Sequence, residues 1–443
     1  MEIRLSDHFT YGRLLRFVVP SIIMMIFTSV YMVVDGLFVS NCVGKVPFAA
    51  MNLITPLLMV MSTIGFMFGT GGAAIVARLL GEGEKEKANR YFSMFVYVIL
   101  ISGFLLMAVG QLGTEPFARM LGAKGEMLRQ SVLYARINFC SLPFFMSQIA
   151  FQSFFNTAEK PRLGLLITIL AGVSNIVLDA LFILGFHWGL AGASLATTVS
   201  ELVGGIIPLI YFGRKNDSPL RLGRTSFDVR ALLRACGNGL SEFMTNISSS
   251  VVATVYNWQL MRYIGGDGVA AYGAIMYVNF IFAAIFLGYS LGSSAIVSFN
   301  YGAGNTAELK NIFRKSLQLI AAAGALLFVL ALLLRGPLAA MFAGYDKGLN
   351  ELVRYGFTIV AFAFLISGFN FFGSSFFTAL GNGGVSAAIS FLRTLLFQVV
   401  LVLLLPRLLG ADGIWAASPA AELLALGVTA GFLIRKKSVY RYA

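Results

Sequence analysis

Long apolar runs dominate the chain, and short polar or Gly/Pro-containing breaks separate them. Each run has about 20 residues or more, the length that an α-helix needs to cross roughly 30 Å of hydrocarbon. The alternation of apolar and polar residues that is typical of membrane β-barrels does not occur. The pattern predicts an all-α integral membrane protein with twelve transmembrane helices. The predicted spans are residues 17–39, 47–77, 91–112, 132–156, 163–185, 189–212, 236–261, 269–299, 313–334, 353–378, 384–405 and 412–434.

Composition agrees with a membrane location. The 443 residues are 58% hydrophobic and 12% charged, with a mean hydropathy of +0.82. Water-soluble domains have about a quarter of their residues charged, so that class is excluded. The segment before the first run has no short apolar core with a cleavage site, and we expect no removable signal peptide. The three cysteines lie far apart at Cys42, Cys140 and Cys236, which predicts neither a disulfide framework nor a metal site.

The basic residues are distributed unevenly between the loops. If the amino terminus is inside, the inside segments contain more than twice as many Lys and Arg residues as the outside loops. The positive-inside rule therefore places both termini in the cytoplasm. We interpret the net charge of +13 as a topological signal and as contact with anionic lipid, and we expect no nucleic-acid partner.

The two halves of the chain resemble each other at an offset of 221 residues. The matching positions include Gly81-x-Gly83 with Gly302-x-Gly304, Ala74-Ile75-Val76 with Ala295-Ile296-Val297, and Glu201 with Glu422. We predict an amino-terminal six-helix lobe at 1–213, a cytoplasmic linker at 214–235 and a carboxy-terminal lobe at 236–443. A six-helix repeat begins and ends on the same side, so the lobes should be parallel about a pseudo-two-fold axis along the membrane normal. This organisation is typical of secondary transporters.

Motifs for catalysis or energy coupling do not fit this chain. There is no G-x-x-x-x-G-K-[ST] loop, so ATP hydrolysis is excluded, and no cofactor or metal motif is found. The segment Gly288-Tyr289-Ser290-Leu291-Gly292 matches G-x-S-x-G but lies within an apolar run, and the only histidines, His8 and His187, lie elsewhere. We interpret it as small residues that let two helices approach closely, and we expect no enzymatic activity.

Charged and polar residues at membrane depth are the candidate functional residues, because charges are costly there and usually face a cavity. Asp35 lies near the outer end of the first span. Asp179 lies near the outer end of the fifth, with Asn175 four residues earlier on the same helical face. Thr197 and Glu201 share a face of the sixth span at a similar depth. We expect these side chains to converge on one site.

The chemistry of this predicted site has three interpretations. Asp35 and Asp179 would share protons as one coupled pair, or they would hold Na⁺ together with oxygens of Asn175 and Thr197. Alternatively, the four residues only tie helices together by hydrogen bonds. Both coupling interpretations place the ion site in the amino-terminal lobe.

The second lobe does not repeat the acidic positions. The residues that correspond to Asp35, Asn175 and Asp179 are Tyr256, Leu396 and Val400. Tyr256 and Asn257 are candidates to line the cavity of this lobe, whereas no partner can be assigned to the intramembrane Arg393. In the first span, Pro20 removes one backbone hydrogen bond fifteen residues before Asp35, which predicts a hinge.

These features together resemble the multidrug and toxic compound extrusion (MATE) family over essentially the whole chain. The residues that carry the resemblance are Pro20 and Asp35 at their spacing, Asn175-x-x-x-Asp179, the two Gly-x-Gly pairs, and the run Gly189 to Ala193. The resemblance implies a bacterial cation-coupled drug antiporter built as a V-shaped pair of six-helix bundles. It implies coupling by Asp35, Asn175, Asp179 and Thr197, and it places Gln152 at the same cavity.

The sequence thus predicts a monomer in the bacterial cytoplasmic membrane that exports amphipathic organic cations in exchange for H⁺ or Na⁺. Glu201 is expected to line the substrate cavity with Gln152, Tyr256 and Asn257. The alternative is a lipid-linked oligosaccharide flippase of a related two-lobed fold. Its anionic cargo requires a cationic cavity, whereas the spans contain only two bases, Arg136 and Arg393. A membrane-embedded enzyme or a non-transporting receptor is a third hypothesis, which the internal repeat disfavours.

Overall fold

The computed structural model describes residues 3–344 and 346–443, which are mostly helical and contain no strand. Twelve long helices run through these ranges. They are α1 Tyr11–Val43, α2 Lys45–Gly81, α3 Lys85–Met120, α4 Gly125–Thr157, α5 Pro161–Gly185, α6 Gly189–Gly213, α7 Leu240–Tyr263, α8 Gly266–Gly302, α9 Thr306–Ala343, α10 Lys347–Ala379, α11 Gly383–Leu409 and α12 Ala411–Tyr440. A short linker helix, Val229–Asn238, precedes α7. The predicted all-α class is confirmed.

Ten of the helices in the described ranges are long and apolar enough to cross a membrane. The other two long helices, α4 and α7, have similar lengths but contain more polar residues. Most helices also continue past the predicted spans, because an apolar run marks only the part that is buried in hydrocarbon. For example, α9 begins at Thr306, where the Asn305 side chain accepts a hydrogen bond from the backbone N–H of Glu308. The chain is therefore a multi-pass membrane protein.

Buried apolar side chains form two clusters, and α1 contributes to both. One cluster contains Phe92 and other residues of the first half of the chain, and the second contains Phe313 and other residues of the second half. Leu14 and Phe17, near the start of α1, belong to the second cluster, whereas Val39 at its far end belongs to the first. The lobe boundaries stay a prediction, but α1 joins the two cores.

The two halves touch at the ends of α2 and α8. A Cβ atom on Gly81 would collide with the carbonyl oxygen of Phe299, and one on Gly302 would collide with the carbonyl oxygen of Arg78. Arg78 and Phe299 are themselves related by the offset of 221 residues. The two contacts are therefore equivalent, as a two-fold axis between the halves requires. Glycine is needed at both positions because no side chain fits between these backbones.

The end of the linker helix is wedged between the two halves. The Asn238 side-chain amide donates to the carbonyl oxygen of Gly71 on α2 at 3.3 Å and to that of Thr378 on α10 at 2.9 Å. A Cβ on Gly383, at the start of α11, would collide with Gly237 and Asn238. Asn382, next to this contact, donates to the hydroxyl group of Tyr440, so the wedge lies on the face that carries the end of α12.

The segment before α1 also ties the halves together. The backbone N–H of Leu5 donates to Glu159 between α4 and α5 at 2.7 Å. The backbone N–H of Phe9 donates to Glu308 on α9 at 2.9 Å, and His8 Nδ1 lies 2.6 Å from the other oxygen of that carboxylate. Leu5 and Phe9 are buried. This arm closes the face that carries the termini.

The G-x-S-x-G match is a helix crossing. A Cβ on Gly288 would lie 2.5 Å from Ile22 Cα, and one on Gly292 would lie 3.1 Å from Val18 Cα. Small residues thus let α8 and α1 approach, as the sequence interpretation stated. Pro20 is buried at this crossing, and the α-helical part of α1 runs through it. Its role as a hinge stays a prediction.

Candidate functional site

The site is built where α1 packs against α5. Gly172, Asn175 and Asp179 share one face of α5, at spacings of three and four residues. A Cβ on Gly172 would collide with the Phe27 ring and would lie 2.9 Å from the Tyr31 ring. The glycine therefore allows these α1 side chains to lie directly against α5. One turn after Tyr31 on α1 and one turn after Asn175 on α5, each helix contributes one carboxyl group.

These two carboxyl groups belong to Asp35 and Asp179, and the structure brings them together. They are close enough to hydrogen-bond each other when one of them is protonated. Asp179 is fully buried. Among the described residues, neither of its oxygens has a hydrogen-bond donor, and Oδ1 of Asp35 also lacks one. Buried acceptors without donors are costly, so the pair is suited to bind a cation or protons.

Asn175 extends the set of oxygens in this pocket. It is buried one turn before Asp179, and its Oδ1 has no donor among the described residues. Thr197 is half-buried on α6. Within the described ranges it forms no hydrogen bond with the carboxyl pair, whereas its neighbour Thr198 donates to the carbonyl oxygen of Ile137 on α4 at 3.2 Å. The geometry thus groups Asp35, Asn175 and Asp179, and the role of Thr197 in coupling stays a prediction.

Glu201 reaches the same pocket from α6. Its Oε2 accepts a hydrogen bond from Ser141 Oγ on α4 at 2.5 Å. Glu201 also lies within range of the charge of Asp35, and its own charge acts on the hydroxyl group of Tyr31. A second hydroxyl group, that of buried Tyr134, lies within range of the same carboxylates. The pocket therefore contains three carboxyl groups and two phenols from four helices.

Sequence reasoning missed the two tyrosines and the local backbone geometry. Tyr31 lies one turn before Asp35, and this spacing is a signal that would have found it. A π-helical turn, Ala180–Gly185, begins directly after Asp179, and another, Val39–Val43, follows Asp35 by one turn. Such turns often occur at functional sites. Nothing in these two segments of sequence distinguishes them from regular helix.

In the second lobe the carboxylate equivalent to Glu201 is already neutralised. Glu422 binds Arg393 Nε at 2.9 and 3.0 Å and accepts from the Asn370 side chain at 2.7 Å. The Arg393 guanidinium also lies 3.6 Å from the centre of the Phe371 ring. The two charged side chains are 11% and 8% exposed. Glu422 is thus the partner that the sequence could not assign to Arg393.

The predicted cavity residues lie in different environments. Gln152 is half-buried on α4. Tyr256 is buried, donates a hydrogen bond to Gln398 at 2.7 Å and stacks on Tyr272 with ring centres 5.0 Å apart. Asn257, the next residue along α7, is exposed. The structure therefore separates Tyr256 from Asn257, and their roles in a substrate cavity stay predictions.

Comparison with known proteins identifies a matching family and proteins of related sequence. The MatE family profile matches residues 20–181 and 242–404, once in each half of the chain. The multidrug export protein MepA of Staphylococcus saprophyticus is 26% identical, over 93% of this chain and 91% of the relative. MepA of Staphylococcus aureus strain MRSA252 is 23% identical, over 94% of this chain and 92% of the relative.

Solved structures share the fold. An outward-facing multidrug resistance MATE family transporter of the MOP superfamily superposes with a TM-score of 0.93, at 20% identity and 98% coverage of both chains. A MATE protein in complex with MaL6 gives the same score, identity and coverage. Since the MatE profile covers more than half of the sequence, the chain belongs to the MatE family of membrane transporters, as the resemblance predicted.

Proposed function

We propose that this protein exports amphipathic organic cations and takes up H⁺ or Na⁺ in exchange. The observation that carries the proposal is the pair of Asp35 and Asp179, three of whose carboxyl oxygens are buried without a hydrogen-bond donor among the described residues. Asn175 supplies a further free oxygen beside them. Such a group of acceptors binds positive charge and has no evident structural use.

Exchange follows from competition for this negative charge. A proton or Na⁺ at Asp35 and Asp179 removes the attraction for an organic cation in the same lobe. Conversely, a bound organic cation disfavours the inbound ion. Binding of either ligand therefore lowers the affinity for the other, and this reciprocity is what couples their movements.

The relatives support the class of cargo. The MepA proteins are named multidrug export proteins, and they align with this chain over more than nine tenths of its length. The protein also has 40 Phe and 17 Met residues, which offer adaptable apolar surface to flat, polarisable ligands. We propose that it works as a monomer with no cofactor besides the coupling ion.

Export also requires that the protein has a defined orientation in the membrane. The excess of Lys and Arg in the inside segments supports a cytoplasmic location of the termini. Three contacts close the face that carries the termini. They are the close approach of α2 and α8 at Gly81 and Gly302, the packing of Asn238 between the halves, and the binding of the segment before α1 to Glu308. We infer that the pocket around Asp35 opens to the outside in this conformation, where an inbound ion displaces the outgoing cation.

The oligosaccharide flippase is the weaker hypothesis. An anionic cargo needs free positive charge within the membrane. Arg393 is paired with Glu422, and Arg136 lies exposed on α4 rather than in a pocket. The buried charged groups without a partner among the described residues are the carboxyl groups around Asp35, which favours a cationic cargo.

Ethidium efflux from proteoliposomes tests the proposal. The pH gradient and the Na⁺ gradient are imposed separately, and the wild type is compared with Asp35→Asn and Asp179→Asn. We expect each variant to lose efflux at least about ten-fold, because one neutral side chain breaks the coupled pair. The gradient that drives the wild type identifies the ion.

Asp412→Asn is the matched control, because Asp412 is exposed in the first turn of α12. This variant should export ethidium at the wild-type rate. Normal gradient-driven efflux by Asp35→Asn would remove the coupling assignment. Failure of the wild type under both gradients would remove the proposed function.

A further inference from the structure

A basic groove lies between the start of α3 and the segment that links the two halves. We use this name for the groove lined by the cationic side chains Lys85, Arg90, Arg221 and Arg224. Its volume is about 630 Å³, and Glu86 is the only acidic side chain among the described residues that line it. It is far along the chain from the Asp35 pocket, and none of its residues belongs to the site described above.

Hydrogen bonds fix the wall of the groove. The Asn89 side-chain oxygen accepts from the backbone N–H of Arg221 at 2.6 Å, and Ser93 Oγ accepts from the backbone N–H of Gly223 at 3.0 Å. The Asn89 amide also donates to the carbonyl oxygen of Pro219 at 3.2 Å. The linking segment is therefore held against α3 through its backbone, and its arginine side chains are left free to bind.

In the part of the chain that the structure describes, no salt bridge engages the positive charges of the groove. The ion pairs among the described residues involve none of its four cationic side chains. Four like charges that converge on one concave surface create a strong positive potential. An anionic group with several acceptor oxygens, such as a phosphate, is the complementary ligand.

An apolar surface continues directly from the groove along α3. Tyr97 donates its hydroxyl hydrogen to the carbonyl oxygen of Gly223, a residue that lines the groove. Beyond Tyr97, the side chains of Ile101 and Leu105 are 61% and 64% exposed on the same face of the helix. This part of α3 lies in a candidate membrane span. The exposed stripe therefore faces lipid.

The linking segment carries exposed apolar residues as well. Phe227, Val229 and Leu233 are 73%, 54% and 66% exposed. Arg230 and the basic groove lie close to them in sequence. Exposed apolar side chains next to cationic ones are typical of a segment that rests in the headgroup region of a membrane.

We propose that the basic groove binds the phosphate headgroup of an anionic phospholipid in the leaflet next to the chain termini, with its acyl chains along the Tyr97 stripe. A soluble phosphate ester would satisfy the cations but would leave the apolar stripe uncovered. A lipid satisfies both surfaces. This site goes beyond general attraction between a basic protein and a membrane, because it assigns the headgroup to particular side chains.

Thermal unfolding of the purified full-length protein in detergent tests the site. We expect added phosphatidylglycerol to raise the unfolding midpoint by several degrees and phosphatidylcholine to have little effect, since only the first carries a net negative charge. Arg221→Gln with Arg224→Gln should lose more than half of the shift. The wall of the groove should persist in this variant, because Arg221 contributes to it through its backbone.

Arg214→Gln with Lys215→Gln is the matched control. It removes the same charge from exposed positions on the same linking segment outside the groove, and it should keep the full shift. An equal loss in both double variants would show unspecific attraction and overturn the proposal. A full shift in the groove variant would overturn it too.

A soluble ligand distinguishes the two sources of phosphate. Glycerophosphoglycerol, which has the headgroup without acyl chains, should leave the midpoint unchanged at millimolar concentration. A shift equal to that of phosphatidylglycerol would assign the groove to soluble phosphate esters and would overturn the lipid assignment. None of these measurements depends on transport.

Discussion

At the scale of single residues, two equivalent glutamates have different surroundings. Glu201 accepts one hydrogen bond from Ser141 and faces the Asp35 pocket. Glu422, at the corresponding position of the second half, is bound by Arg393 and Asn370. A carboxylate that is already paired with a fixed cation has no charge left for a mobile one. This difference is a physical reason to place the proposed ion site in the first lobe.

The ion pair between Arg393 and Glu422 leads to a prediction about stability. Arg393→Met should lower the free energy of unfolding by about 3–5 kcal/mol, because it leaves a buried carboxylate without its partner. Adding Glu422→Gln should restore most of the loss, since no unpaired charge remains. Unfolding by sodium dodecyl sulfate titration measures both. Additive losses in the double variant would show that the two residues do not interact.

The ion pair between Arg393 and Glu422 also shows which contacts between single residues could not be predicted from the sequence. Asp35, Asn175 and Asp179 were predicted to converge because their depths in the membrane follow from helix geometry. Arg393 and Glu422 lie on different helices, and their contact depends on how α11 and α12 are rotated against each other. The depth of a residue in the membrane can be predicted from its position in an apolar run. The rotation of a helix about its own axis is decided by packing against other helices.

At the scale of helices, close backbone contacts decide where glycine is required. Gly302 on α8 lies against Arg78 on α2, where a Cβ would meet only backbone atoms. Backbone cannot move aside as the end of a side chain can. Gly273 lies on the same helix but has open space where its Cβ would be. These two glycines are therefore a matched pair for mutation.

Gly302→Ala should destabilise the protein by about 1–3 kcal/mol, since the added methyl group forces α2 and α8 apart. Gly273→Ala should be neutral or slightly stabilising, because alanine favours helix and meets no neighbour. Thermal unfolding in detergent compares the two variants. Equal midpoints would contradict the close contact between the halves.

The positions of the helices could be predicted well from the sequence, and the positions of their ends less well. The offset of 221 residues predicted the paired glycines, and the structure brings them into reciprocal contact. The four helices that exceed their predicted spans most are α1, α3, α4 and α9, and their extra turns include polar or charged residues that are soluble beyond the hydrocarbon. Hydropathy cannot mark an end at which the helix simply continues into water.

At the scale of the whole molecule, the arm before α1 acts together with the glycine contact and the linker wedge. Glu308 accepts the backbone N–H of Phe9 and contacts His8. Cys236 lies in the linker helix next to the wedge and is half-buried. Burial also raises the pKa of the Cys236 thiol, which keeps it in its less reactive form. Its reactivity therefore reports how tightly this face is closed.

Glu308→Ala should raise the rate at which maleimide labels Cys236 several-fold. Loss of the arm contacts should loosen the closed face, and a hydrated thiol ionises more readily. The exposed Cys42 and Cys140 are replaced by serine so that only Cys236 is labelled. Glu84→Ala, at an exposed ion pair with Lys87, is the control and should label at the parent rate. An unchanged rate in Glu308→Ala would show that the arm does not hold this face closed.

The division of α1 between two cores could not be predicted from the sequence. Its apolar run looks uniform from Phe17 to Val39, yet Leu14 and Phe17 pack with the second half and Val39 with the first. Which neighbour covers an apolar side chain is decided by tertiary packing. Position in the chain alone would assign the whole helix to the lobe in which it begins.

This shared helix has a consequence for dissecting the protein. A fragment that ends before the linker would leave Leu14 and Phe17 without their neighbours. The complementary fragment would have an unfilled apolar groove at the position of these two side chains. We expect neither piece to be stable by itself in detergent. Produced together in one cell, the two pieces should reassociate, because each supplies the surface that the other lacks.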